Sequence, residues 1–274
     1  MSDDTQPNIV AVIAGSGQFP VLFIKNAIKN GSKVIAICHI SETDSSVEDL
    51  GASVFWIKLG QLGKIISILK NEKVQKVAFA GGISRPNILK GNVWPDLKGL
   101  ALISKIKSVK DDVLLRAVAN EIEKNGIKVI SGTEFLPDCI PKKGSLTTRD
   151  LTKEERECAS IGWDAAKLIG SIEIGQTVVV VNKMIVAVEA IEGTDATLKR
   201  AGDLAHKKGG VVVKVSKPQQ DKRLDLPTIG IDTIRKMKEC GLTALVIEAG
   251  NTLLLQPMEL VEEANRFKIA IEAL

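Results

Sequence analysis

A chain of 274 residues, 45% hydrophobic and 26% charged, holds enough apolar material for one large α/β domain or two of ordinary size. No apolar run approaches the roughly 18 residues that span a bilayer, and the start MSDDTQPNIV is acidic and polar where an export signal is basic and then apolar, so the expected location is the cytoplasm. A net charge of +4, 3% aromatic residues and no long basic run argue against nucleic-acid binding, while four scattered cysteines and two histidines exclude a disulfide framework and leave zinc almost no ligands.

The first half alternates β-branched runs with amphipathic stretches. NIVAVIAG reads as a strand, FPVLFIKNAIKNG as a helix closed by Gly31, KVIAICHI and VFWIKLG as strands, LGKIISILKNEK as a helix and KVAFAGG as a strand. ALISKIKSVKDDVLLRAVANEIEKNG has helical spacing in two pieces, and IKVISG is a last strand. Apolar strands separated by helices predict a parallel sheet covered on both faces, over residues 8 to about 134. FLPDCIPKKGSLTTRD, residues 135 to 150, lacks periodicity and reads as a linker. In 151–274 a helix precedes GQTVVVVNKMIVAVEA, two strands about Asn182-Lys183, which predicts a hairpin and hence a mixed sheet. A helix from about Asp195 to His206, the strand VVVKVS, a helix from Asp232 to Cys240 and strands ALVIEAG and TLLLQ complete the second domain. The fold class expected is therefore α/β, a parallel-sheet N-terminal domain followed by a distinct C-terminal α/β domain.

Chemistry-bearing residues cluster at the ends of these strands. IAGSGQFP runs a strand into Gly15, Ser16 and Gly17 and then a helix, a place for phosphate or simply a tight turn; Pro20 stands where a dinucleotide fingerprint has its third glycine. FAGGISRPN ends a parallel strand on the same edge and offers Gly82 and Arg85. Asp111 and Asp112 suit helix capping at least as well as metal binding. Glu189, Glu192 and Asp195 place three carboxylates within seven residues, suited to Mg²⁺ on a diphosphate, with helix capping as the alternative. In KPQQDKRLDLPTIG, Lys217, Lys222 and Arg223 suit phosphate oxygens, Asp221 and Asp225 a metal or a water proton, and two prolines stiffen the loop. Glu248 ends another strand. Trp56 and Trp163 read as core, Trp94 as a surface residue, and His39 and His206 as structural.

IAGSGQFP, FAGGISRPN, DDVLLRAV, AVEAIEGTDATLKRAGDLA, KVSKPQQDKRLDLPTIG and EAGNTLLL, in this order and spacing, resemble the LpxI family, the UDP-2,3-diacylglucosamine pyrophosphatases of lipid A biosynthesis in Gram-negative bacteria. The resemblance runs from about Asn8 to Leu274; Ser16 stands where a glycine is common in that family. It implies a Rossmann-like N-terminal domain, a ligand held between the two domains, and Mg²⁺-dependent hydrolysis to UMP and 2,3-diacylglucosamine 1-phosphate (lipid X), with water directed at the β-phosphorus. It also implies Asp225 as the residue essential for turnover. The residues themselves suggest that Asp225 either ligates Mg²⁺ or activates its water, with Glu189, Glu192 and Asp195 as candidate further ligands and Lys217 and Arg223 stabilising the transition state. Gly15, Ser16, Gly17, Gly82, Arg85, Thr194 and Gln220 are the substrate-binding candidates. Peripheral contact with the inner face of the inner membrane and a homodimer are compatible with it. The competing readings are a nicotinamide-dependent oxidoreductase and a non-catalytic nucleotide-sugar binding protein.

Overall fold

The computed structural model describes residues 8–83, 93–106 and 111–274. They form two compact units, one reaching Pro137 and including Asp221–Asp225, the other made of Asp138–Gln220 and Leu226–Leu274.

The N-terminal unit is a five-stranded parallel sheet of β1 (Ile9–Ala14), β2 (Lys33–His39), β3 (Ser53–Ile57), β4 (Lys76–Ala80) and β5 (Lys128–Ile130), in the order β3-β2-β1-β4-β5. Among the described residues its α-helices are α1 (Phe19–Lys29), α2 (Leu62–Asn71), α3 (Leu97–Ile103) and α4 (Asp111–Lys124). The two-residue period sends alternate side chains of β1 to opposite faces. Val10, Val12 and Ala14 pack with Phe23 and Ile24 of α1, while Ala11 and Ile13 pack with Ile65 and Leu69 of α2 and Ile122 of α4. Both faces are therefore covered, which is why the strands read as unbroken apolar runs. Strand order reverses between β1 and β4, so the carboxyl ends of these two strands flank the crevice where such sheets take ligands.

The C-terminal unit holds a six-stranded mixed sheet, β6-β13-β11-β9-β7-β8. Its strands are β6 (Gly144–Ser145), β7 (Thr177–Val181), β8 (Met184–Val188), β9 (Val211–Lys214), β11 (Ala244–Ile247) and β13 (Ala270–Ala273). β9, β11 and β13 are parallel, and β7 is antiparallel to β8 and β9. The hairpin at Asn182-Lys183 is present, both residues at positive φ (49° and 63°), the backbone a two-residue loop requires. α5 (Lys153–Ser171) starts with a reciprocal Thr152–Glu155 capping box and covers one face. α6 (Thr194–Leu204), α7 (Ile231–Glu239) and α8 (Pro257–Arg266) cover the other.

Three differences from the sequence reading concern organisation. Residues 138–150 are no linker: they belong to the C-terminal unit, and Gly144–Ser145 pairs antiparallel with β13. TLLLQ does not enter the main sheet, because its core, β12 (Leu253–Leu254), pairs with β10 (Thr228–Ile229) in a separate two-stranded ladder. α8 and β13 were not expected, although Pro257 at a helix start and buried Leu260 and Ala264 four residues apart on an otherwise charged stretch are their signature. Trp56 and Trp163 are half-buried against the cores and not enclosed in them, while Trp94 is exposed as expected.

Candidate active site

At the switch point of the N-terminal sheet the chain is stapled backbone to backbone. Gly15 N–H donates to the Ala80 carbonyl (2.8 Å), Ser16 N–H and Oγ both donate to the Gly82 carbonyl (2.7 and 3.0 Å), and Gly82 N–H returns a bond to the Ser16 carbonyl. Such proximity leaves no room for a side chain at Gly15, where a Cβ would meet the Gly82 oxygen at 2.2 Å. Gly17 answers a different need, a φ of +87° facing open space, so the turn can be approached closely from outside. α1 follows with no side-chain cap, and its first-turn amides have no intrahelical partner except where Pro20 removes the donor. Gly15, Ser16, Gly17 and Gly82 are thus brought together; Arg85 lies outside the described residues. β2 ends in His39, a buried imidazole whose Nδ1 lies 3.1 Å from the Ala14 carbonyl and whose pKa burial lowers. An acid for a nicotinamide ribose is not at that strand end.

The C-terminal sheet gathers charge instead. β8, β9 and β11 end at one edge, where β7 begins: Glu189 N–H donates to Thr177 O (2.9 Å) and Val215 N–H to Gln176 O (3.1 Å). Glu189 is buried there, accepting from Gln176 N–H (3.2 Å) and from Thr194 Oγ (2.7 Å) at the start of α6. Lys214, also buried, donates to that Thr194 hydroxyl and to the Thr228 carbonyl (both 3.2 Å). Alongside, Glu248 takes Lys167 Nζ (2.6 Å), Ser216 N–H (2.9 Å), Ser216 Oγ (2.7 Å) and Asn251 Nδ2 (2.8 Å). Burial opposes ionisation of Glu248, but these donors outweigh it and hold the carboxyl below its ordinary 4.5. Gln176 Oε1 and Thr177 Oγ at the same edge are buried with no partner among the described residues, a demand that a polar ligand or water would meet.

Lys217 follows on β9's exit, buried, its N–H donating to Gln220 Oε1 (3.1 Å) and its carbonyl accepting from Gln220 N–H (3.0 Å). Gln219 Nε2 donates to the Gly170 carbonyl of α5 (2.9 Å), so 217–220 is a closed turn with Lys217 fixed in it. The next five residues belong to the N-terminal unit. Leu224 is buried in the cluster of Ile13, Ile65 and Ile122. Arg223 is bound twice to Asp221 (3.2 and 2.8 Å) and once to Glu123 of α4 (2.9 Å). Its hydrogen bonds hold the Asp221 carboxyl below the usual carboxylate range. Arg223 thereby fastens the segment that presents the exposed Asp225.

Within the C-terminal unit the proposed metal ligands have other partners. Glu189 is occupied by Thr194 and Gln176; Glu192 pairs with Arg200 (2.9 Å) and accepts from Ala190 N–H (3.2 Å); Asp195 is exposed in α6's first turn. Asp225 is part of the N-terminal unit. Among the described residues no three His, Cys, Asp or Glu side chains are close enough to hold a metal ion. The donors therefore do not fit an all-protein cage. They fit the commoner Mg²⁺ arrangement, one or two carboxylates completed by substrate phosphates. Asp112 is buried at the start of α4 with Oδ2 unpartnered among the described residues. Sequence reasoning missed Lys214, Lys167 and Ser216.

No helix among the described residues is long and apolar enough to cross a membrane. Models of the LpxI N-terminal domain and the LpxI C-terminal domain match residues 9–139 and 142–272. The UDP-2,3-diacylglucosamine pyrophosphatase LpxI of Caulobacter vibrioides is 34% identical over 267 residues, covering 93% of this chain and 94% of that protein. Among solved structures, the biotin carboxylase subunit of pyruvate carboxylase is similar at 15% identity and a TM-score of 0.27, over 74% of this chain and 42% of that one. The biotin carboxylase domain of Hydrogenobacter thermophilus 2-oxoglutarate carboxylase reaches 14% and 0.22, over 73% and 41%. Scores so low carry no argument about fold or site. With both of its domain models matched in succession, and a relative of this identity along nearly the whole length, the chain belongs to the LpxI family.

Proposed function

We propose that the chain hydrolyses the pyrophosphate bond of UDP-2,3-diacylglucosamine, giving UMP and 2,3-diacylglucosamine 1-phosphate for lipid A biosynthesis. The observation that carries this reading is the 34% identity with the Caulobacter pyrophosphatase along 93% of the chain. Chemistry at the C-terminal edge agrees with it. A diphosphate brings negative charge that must be neutralised as the bond breaks. Lys217, held in its turn, meets the phosphate oxygens, and Lys214 sets the potential behind it. The Glu189–Thr194–Lys214 chain of hydrogen bonds positions Lys214. The turn from Gly15 to Gly17 and the amides opening α1 offer donors suited to an anion.

Water attacks the β-phosphorus, the bond from that phosphorus to the bridging oxygen breaks, and the bridging oxygen leaves with UMP. Asp225 accepts the proton of the attacking water or supplies the single protein carboxylate to Mg²⁺; Arg223 positions it through Asp221 and Glu123. Mg²⁺, when bound, neutralises charge on the non-bridging oxygens. Incubation with UDP-2,3-diacylglucosamine, with and without Mg²⁺, tests the reading: UMP is expected with Mg²⁺, and no UMP in either case overturns it.

A further inference from the structure

α3 is apolar on the side that faces water. Five of its seven residues are exposed, and four of those five, Leu97, Leu100, Ala101 and Ile103, are apolar. Leu97 is 86% exposed, Leu100 52% and Ile103 40%, three residues apart and hence along one stripe, with Trp94 beside them at 60%. The inward side is apolar too, Gly99 buried and Leu102 packed on the core. Lys98 is the one charged residue of α3, and a helix so nearly apolar all round is normally covered on most sides.

The platform beneath is firmly built. Asp96 caps α3, accepting from Gly99 N–H (2.9 Å) and from Lys64 N–H of α2 (3.1 Å), and Trp94 N–H donates to the Leu59 carbonyl (2.7 Å). A Cβ on Gly99 would meet the Gly60 oxygen at 2.4 Å, so the backbones touch. The leucines are thus presented on an ordered, convex helix, a shape for lying on a surface and not for enclosing a ligand. Charge selects the surface. Residues 93–106 contain two lysines, Lys98 and Lys105, both exposed, and one acid, Asp96, which is occupied by the cap. Lys58 stands 4.6 Å over the Trp94 ring, so a further cation lies at the indole.

We infer that Trp94, Leu97, Leu100 and Ile103, flanked by Lys58, Lys98 and Lys105, dock the protein on an anionic lipid bilayer. Apolar side chains enter the acyl boundary, the indole sits at head-group level, and the lysines meet lipid phosphates. The inference deepens the proposed function and rests on it for purpose, because a diacylated substrate is collected from a bilayer. The test keeps the two separable by using vesicles without substrate. Wild-type protein is floated with vesicles of phosphatidylcholine containing about one-third phosphatidylglycerol, and with phosphatidylcholine alone. Flotation with the anionic vesicles, weakened by high salt, is expected. Leu97→Ser with Leu100→Ser should reduce the bound fraction at least about tenfold, with unchanged circular dichroism and unchanged turnover of detergent-dispersed substrate. Lys98→Glu with Lys105→Glu should lower binding to the anionic vesicles in particular. Absence of wild-type flotation, or equal flotation of the serine variant, overturns the inference. So does a wild-type dimer that the serine variant converts to monomer without vesicles, since the face then covers a second copy.

Discussion

At the switch point of the N-terminal sheet the groups that meet the crevice are backbone atoms, drawn together by Gly15 and Gly82 and nearly free of charge. At the edge of the C-terminal sheet polar side chains gather: Glu189, Lys214 and Lys217 are buried and Glu248 is half-buried, the two carboxylates accepting from named donors and Lys214 donating to Thr194 and Thr228. A backbone cradle can bind an anion but has no group whose charge or proton changes; a charged edge can respond to charge developing on phosphorus. One unit thus offers geometry and the other electrostatics. The segment Asp221–Asp225 is the exception, a charged stretch within the N-terminal unit that brings Asp225 with it.

Substitutions can break this division. Asp225→Ala should cost most: kcat falls at least about 10³-fold, some 4 kcal/mol, while substrate affinity is kept. Near-normal turnover in that variant removes Asp225 from the chemistry. Lys217→Ala should lower kcat/KM about 10²-fold. Arg223→Ala should do less, because its guanidinium is already engaged by Asp221 and Glu123; an effect as large as that of Lys217 would assign Arg223 to the phosphates directly. In the backbone-built region the loss should be of stability. Gly15→Ala forces a Cβ onto a carbonyl oxygen that cannot yield and should destabilise by about 2–3 kcal/mol, whereas at Gly82 the nearest atom to a Cβ is the Ser16 hydroxyl at 3.6 Å and alanine should be tolerated. Equal melting of the two variants would show that the staple is loose.

A pH titration gives the smallest effect. Because the Glu248 carboxyl is held below 4.5 in the folded protein, its contribution is present at neutral pH and is lost as pH falls below that value. Glu248→Gln should therefore flatten the acid limb of the unfolding profile. An unchanged limb would mean that Lys167 and Ser216 add nothing to its ionised form.

What the sequence made legible was what repeats or breaks a period. Alternating apolar runs and helices sufficed for the parallel sheet, and Asn182-Lys183 between two β-branched runs sufficed for the hairpin. Glu189 stood out as an acid in an apolar run, and it is buried, but with Thr194 and Lys214 for partners. Lys214 itself is hidden in VVVKVS, where an alternating strand gives it the look of a solvent-side residue, and Lys167 sits on a helix whose neighbours are mixed. Their roles follow from strand order, which brings β8, β9 and β11 to one edge and which no local pattern encodes. Leu224 is the plainest case: its charged neighbours read as a solvated loop, yet it is buried in a core whose other buried members all lie between Ala11 and Val129.

The central claim is that water attacks the sugar-side phosphorus of UDP-2,3-diacylglucosamine. Hydrolysis in oxygen-18 water with Mg²⁺, followed by mass spectrometry of both products, tests it most directly. The label is predicted in 2,3-diacylglucosamine 1-phosphate, with unlabelled UMP. Label in UMP would contradict the direction of attack, and no cleavage at all would contradict the function.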